Sequence, residues 1–493
     1  MMNRLVGLLS PLVLVMFGFY IPIIWVAIED GALSLEGIRA LPGFGDAPVI
    51  LATIRVAGLA ALLATAIGWL DAVLLAGTRG RWRSIVVILL LASFLIPPAA
   101  LASAVQACIG SSSLRVTVRD ELGAVLMLAV RWAPMAAAML LGAATMWPLA
   151  QERSLRTLPP LAALLTRARA MLPGALRCAG LLLLLLIPAA ELPSYAGVET
   201  VSQRILIRLT VGDPAAGWQL AFLLVVLASP AIFLLTRALE DPSRSRRGGG
   251  IEGLPKVIWA DRILLVRVLP AAALILILAL TAWPRASEMA VAGDELLSAA
   301  LAIGQELPRA LLASLLAILC GWRLADGGHR IGLLLLCLPT LLPGSLGAIA
   351  LMRTVRPVLP QFLDDLPLLL TVAQICKLGA LAAAAGFVAT RVLPAAERDA
   401  ANLIPPTTAR WRVRFPRALP VLVPAMVIGI ALVMGEVEST LLLAPPGHPS
   451  TALELHQLLH FRNDEQAARL ALMLALFGAS MSALIVKPWR RGE

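Results

Sequence analysis

Twelve stretches of mostly apolar residues run through this chain, at 5–28, 51–77, 85–108, 122–148, 178–195, 216–237, 263–283, 307–325, 331–352, 367–390, 418–443 and 467–486. Each is near the ~20 residues an α-helix needs to cross a bilayer. Hydrocarbon offers no water to peptide groups, so such a stretch must satisfy its own backbone hydrogen bonds as a helix. Composition agrees. The 493 residues are 59% hydrophobic and 14% charged, against about 25% charged in a soluble domain, too few charges to coat a globule of this size. The abundance of Leu, Ala, Ile and Val excludes disorder. The expected fold class is an all-α polytopic membrane protein of about twelve transmembrane helices. The first stretch follows Arg4 without a clear small-x-small cleavage site after it, and reads as an uncleaved span.

The basic residues orient the chain. A net charge of +11 would suit a nucleic-acid binder only as a basic patch on a soluble fold. Here Lys and Arg sit in short runs between apolar stretches, so no nucleic-acid partner is expected. With a cytoplasmic N-terminus, 27 of the 41 basic residues fall on the cytoplasmic side and 10 on the other. The positive-inside rule then favours this orientation, and an even number of spans returns the C-terminus to the cytoplasm.

Two halves are visible. Glu152-Arg153 recurs as Glu397-Arg398, Glu191 as Glu436 and Pro98 as Pro343, all 245 positions later (397 − 152, 436 − 191, 343 − 98). Gly68-Trp69 recurs as Gly321-Trp322 with a shift of 253 (321 − 68). Four matches in the same order point to duplication. Six spans per copy is an even number, so the repeats are parallel. The expected domains are a first repeat at 1–238, a polar, basic, Gly-rich cytoplasmic linker at 239–260, and a second repeat at 261–493.

Two cytoplasmic loops, 151–173 and 396–420, are longer than the rest and alike. Each starts with Glu-Arg, passes through prolines, becomes basic and ends at a Leu-Pro. Proline restricts its predecessor and interrupts a helix, which predicts a short helix, a turn and re-entry into the membrane. Repetition in both halves favours a docking element over a merely basic loop.

Ionisable residues within spans are functional candidates. They are Arg55, Asp71, Arg131, Glu191, Arg309, Lys377, Glu436 and Glu438. Arg55, Asp71 and Arg309 lie near span ends, where snorkelling suffices. Glu191 and Glu436, matched between repeats, are expected to line or gate a path. Lys377 lies in mid-span and is expected to pair with Glu436 or Glu438. The five cysteines all lie in apolar stretches without a CxxC and read as small buried hydrophobes. His456 and His460 share a face at i, i+4 but read as surface polarity, and Asp364-Asp365 reads as solvated, so no metal site is expected. No G-x-x-x-x-G-K-[ST] phosphate loop occurs.

Residues 436–475, "EVESTLLLAPPGHPSTALELHQLLHFRNDEQAARLALMLA", are the most specific stretch of a wider likeness, with a weaker copy at 191–222. Together with the two Glu-Arg loops they resemble the fused, two-copy permease subunit of binding-protein-dependent ABC importers of the iron(III) type, over nearly the whole chain. The loops are similar to the family's EAA loops, which form the coupling helices gripped by the ATPases. The resemblance implies that Glu152, Arg153, Glu397 and Arg398 are coupling-loop residues and that Trp411 to Pro420 ends the second loop. Leu158 and Leu403 stand where the family has a glycine. It also implies a path or gate at Glu191, Glu436, Glu438, Pro98 and Pro343, and a location in the bacterial cytoplasmic (inner) membrane. Expected partners are two ATP-binding cassette subunits, an extracytoplasmic solute-binding protein and membrane lipid. No cofactor is expected on this chain, ATP being held by the partner subunits, and no enzymatic activity of its own. Ferric iron is the expected substrate, with thiamine, phosphonate, sulfate and polyamines as related options.

Two other classes compete. Twelve spans in parallel halves also suit an ion-coupled secondary transporter. An integral-membrane enzyme would need a polar catalytic constellation, and no acidic cluster, His/Cys set or nucleophile arrangement is visible.

Overall fold

A computed structural model describes residues 11, 13–32, 46–76, 85–90, 94, 96–109, 120–144, 157–226, 269, 275–277, 279–283, 289–360, 366–391, 397, 401, 403–405, 408–445, 450–461 and 464–486. Among them the regular structure is entirely helical. Among the described residues six helices are long and apolar enough to cross a membrane, or eight if each of two bent pairs is a single span. The chain is therefore a multi-pass α-helical membrane protein. Exposed leucines agree: Leu161, Leu165, Leu172 and Leu176 lie along one side of a single helix, a surface stable against lipid rather than water. Parts of the expected stretches at 5–28, 85–108, 216–237 and 263–283 fall outside the described residues.

In chain order the helices are α1 (Ile21–Glu29, after a π-helical turn Met16–Tyr20), α2 (Ala47–Ala76), α3 (Pro98–Ile109), α4 (Glu121–Ala144), α5 (Pro160–Leu186), α6 (Glu191–Tyr195), α7 (Val201–Val211) and α8 (Pro214–Val226). They continue with α9 (Met289–Asp326), α10 (Arg330–Cys337), α11 (Gly344–Thr354), α12 (Leu368–Lys377), α13 (Gly379–Arg391), α14 (Phe415–Met434), α15 (Glu438–Leu443), α16 (Thr451–His460) and α17 (Asp464–Val486).

The chain divides into two compact units. One comprises residues 1–49, 201–228 and 300–457; the other comprises 50–200, 229–299 and 458–493. Neither is a continuous half of the sequence. In the first, α11 packs on α1, α12 and α15, while α13 packs on α10 and α14. Ala348, Leu351, Leu370, Ala373 and Leu443 form its apolar centre. In the second, α4 packs on α5, α6 packs on α3 and α4, and α17 packs on α3.

Glycines set the closest crossings, as small residues do between membrane helices. A Cβ on Gly321 of α9 would collide with the backbone carbonyl of Ala382 in α13. A Cβ on Gly68 of α2 would stand 2.6 Å from the Ala133 carbonyl oxygen of α4.

Several span boundaries differ from those expected. The Leu-Pro junctions do not start the spans: α5 begins at Pro160 and runs through Pro173, and α14 runs from Phe415 through Pro420 and Pro424. Pro160 suits the first helical position, where no N–H is needed. An interior proline loses one backbone bond, which membrane helices tolerate through local adjustment. A π-helical turn, Ala409–Arg414, leads into α14 at Phe415. Two expected spans are broken. α10 and α11 meet at 99° across Pro339 and Pro343, and α12 and α13 at 56° around Leu378. Gly379 is needed at the second bend because a Cβ there would strike the Leu336 carbonyl.

Candidate functional site

The spans carrying Glu191 and Glu436 both stop before the glutamate. α14 ends at Met434, with the N–H of Gly435 donating to Ala431 O at 3.1 Å. Glu436 stands in the break, and its carboxylate accepts the N–H of Ser439 at 3.1 and 3.2 Å and the Ser439 hydroxyl. It thereby satisfies the start of α15 as a capping side chain does. Thr440 Oγ1 donates back to Glu436 O at 2.6 Å. Glu191 likewise follows the end of α5 at Leu186 and opens the short helix α6. The expectation of two glutamates inside continuous spans is thus corrected: apolar composition continues past a helix end, and composition alone does not register the break.

Glu438 faces the start of α11. Its Oε2 accepts the N–H of Gly344 at 2.7 Å, an orphan donor at the electropositive end of that helix. A Cβ on Gly344 would collide with Glu436 Oε1 and stand 3.3 Å from Glu438 Oε2, so glycine is what lets both carboxylates approach. Just before it, Leu342 is extended (φ −99°, ψ 149°), the conformation favoured by a residue preceding proline. Its carbonyl accepts Lys377 Nζ at 3.2 Å. Lys377 was expected to pair with Glu436 or Glu438: its ammonium bonds this backbone carbonyl, and its charge acts on Glu436 through space.

A second cluster lies in the same unit. Arg309 bonds both Glu306 and Gln374 Oε1. Glu306 Oε2 accepts the Thr451 N–H at 2.8 Å and its hydroxyl at 2.6 Å. The Glu306 side chain is fully buried and that of Arg309 is 10% exposed, so Arg309 does not snorkel. Asp71 is completely buried as well, whereas Arg55 meets Glu121 at 2.6 Å in an exposed pair. Glu306, Gln374 and Thr451 were not candidates from sequence. The Glu-x-x-Arg spacing of a helical ion pair was the available signal, hidden by starting the span at 307.

The other unit repeats part of the first constellation. Arg131 Nη1 donates to Ile96 O at 2.9 Å, and Ile96 precedes Pro97. Glu191 acts electrostatically on Arg131. The offsets agree: 377 − 131, 342 − 96 and 343 − 97 are each 246. Proline matching therefore shifts by one, Pro97 rather than Pro98 corresponding to Pro343. Pro98 is buried at the first position of α3, where α11 has Gly344. The packing also recurs: α6 rests on α3 and α4, as α15 rests on α11 and α12.

Of the expected coupling-loop residues, Glu152, Arg153 and Arg398 lie outside the described residues. Glu397 Oε1 accepts Arg417 Nη2 at 2.8 Å, the two side chains being 36% and 61% exposed. Leu403 is 87% exposed and Leu158 38% exposed. The far leg of the second loop is anchored: Asp326, at the end of α9, pairs with Arg410 at 2.8 Å and Arg414 at 2.9 Å. Trp411 and Phe415 pack edge-on or tilted against Trp322, with ring centroids 5.7 and 5.1 Å away. In the other unit Trp69, which the sequence matches with Trp322, bonds the Ala168 carbonyl of α5 at 3.2 Å. Pro420, expected at the loop's end, lies inside α14.

No group of three or more His, Cys, Asp or Glu side chains is placed to hold a metal ion among the described residues. No family model, no curated protein and no solved structure matches the chain.

Proposed function

We propose that the chain is the transmembrane permease subunit of an ATP-driven importer, with two parallel six-helix repeats at 1–238 and 261–493 joined by a cytoplasmic linker at 239–260. It forms the translocation path for a substrate, ferric iron, delivered by an extracytoplasmic binding protein, and couples to two separate ATPases through loops 151–173 and 396–420. The observation that carries this reading is the construction of the second loop. It exposes Leu403 and the Glu397–Arg417 pair, while its far leg is fastened to α9 by Asp326 and Trp322. A push on such a loop reaches the spans. The recurrent cation, carbonyl, proline and glutamate arrangement supports the duplication, and Glu191, Glu436, Glu438, Pro98 and Pro343 are the proposed path or gate. The membrane is the bacterial inner membrane with both termini cytoplasmic.

An ion-coupled transporter is the second reading. The buried Glu306–Arg309 pair and the Glu436–Glu438 pair favour it, since carriers use intramembrane carboxylates as ion relays. Uptake of radiolabelled ferric iron by cells dependent on this chain tests the first reading: import is expected, and its absence with the protein inserted removes iron as the substrate.

A further inference from the structure

We infer that Arg131 and Lys377 are positioning residues, each clasping the carbonyl that precedes a proline break and thereby setting the helix start against which the break glutamate is held. The bonds are Arg131 to Ile96 O at 2.9 Å and Lys377 to Leu342 O at 3.2 Å, one within each compact unit. A pre-proline carbonyl in extended backbone is turned away from the helical ladder, and in a membrane interior no water replaces the missing donor. A long cationic side chain from the neighbouring span supplies it. The glutamate opposite, Glu191 or Glu436, balances the charge thus brought inside. One half uses a guanidinium and the other an ammonium at corresponding positions. The requirement is therefore a reaching, charged donor, not the planar fork of arginine. Around Lys377 the clasp has further ties: Thr340 Oγ1 donates to Lys377 O at 3.0 Å and accepts the Ala380 N–H at 2.9 Å. The clasp thus joins the bend between α10 and α11 to the bend between α12 and α13.

The test compares Lys377→Arg, Lys377→Met and Lys377→Met with Glu436→Gln in the full-length chain, together with Arg131→Lys and Arg131→Met. Thermal unfolding in detergent is the first readout and needs no transport. Lys377→Met and Arg131→Met should each lower the midpoint by about 5 °C, and the two conservative variants should stay near native. Adding Glu436→Gln should recover only part of the loss, because the Leu342 carbonyl still lacks its donor. Full recovery would reduce Lys377 to an ion-pair partner and overturn the clasp, as would a native midpoint in Lys377→Met. The second readout, uptake per folded molecule well below the midpoint, rests on the import reading. It should fall about tenfold in Lys377→Met and return in Lys377→Arg. Unchanged uptake would leave Lys377 a purely structural role. A native chain that fails to import would sink the transport reading alone, since the unfolding series still decides the clasp.

Discussion

Gly321 has no room for a side chain: the Ala382 carbonyl lies where a Cβ would stand. Gly58, in α2, has nothing within 4 Å of its own Cβ position. The same change should therefore act oppositely at the two sites. Gly321→Ala must push two backbones apart and should cost about 1–3 kcal/mol. Gly58→Ala should be neutral or stabilise by up to about 1 kcal/mol through helix propensity. Reversible unfolding in mixed micelles measures both. In the sequence Gly321 served only as a marker of repetition, because a contact with Ala382 requires knowing which spans cross. The intramembrane charges were legible as a set but not in their partners. Distance from a span end suggested snorkelling for Arg309 and Asp71. Burial is decided by neighbours from distant segments, such as Gln374 and Thr451 around the Glu306–Arg309 pair.

Elements were read well where apolar content and helix coincide, and poorly where they part. The helix at 121–144 and the one at 464–486 follow their apolar stretches closely. The stretch 331–352 hides a 99° bend because Pro343 interrupts the backbone without interrupting the hydrophobicity. Conversely, the Leu-Pro junctions at Pro173 and Pro420 looked like the starts of the next spans but lie inside helices. The candidate loop was legible as a repeated Glu-Arg pattern, while its anchorage on α9 needs Asp326 and Trp322, some 90 residues upstream. Glu397 carries the prediction at this scale. Its pair with Arg417 is solvent-exposed and should contribute no more than about 1 kcal/mol. Glu397→Lys should abolish uptake while membrane insertion and the unfolding midpoint stay within error of native. Normal uptake in that variant would remove the docking role.

At the scale of the whole molecule, each compact unit draws segments from both sides of the linker. Residues 1–49 and 201–228 belong with 300–457, and 229–299 and 458–493 belong with 50–200. Recurring motifs were visible in the sequence, but this exchange was not, because hydrophobic periodicity says which residues are buried and not against which segment. A chain cut within 239–260 should accordingly give two fragments that are unstable when expressed singly and co-purify when expressed together. Two independently stable fragments would contradict the exchange. The central proposal is that ATP hydrolysis on partner subunits drives import through this chain. Its most direct test is uptake in cells whose ATP pool and proton gradient are controlled separately. Import should persist with a protonophore while ATP is maintained, and stop when ATP is depleted with the gradient intact. Uptake that survives ATP depletion and collapses with the protonophore would contradict the proposal and establish ion coupling instead.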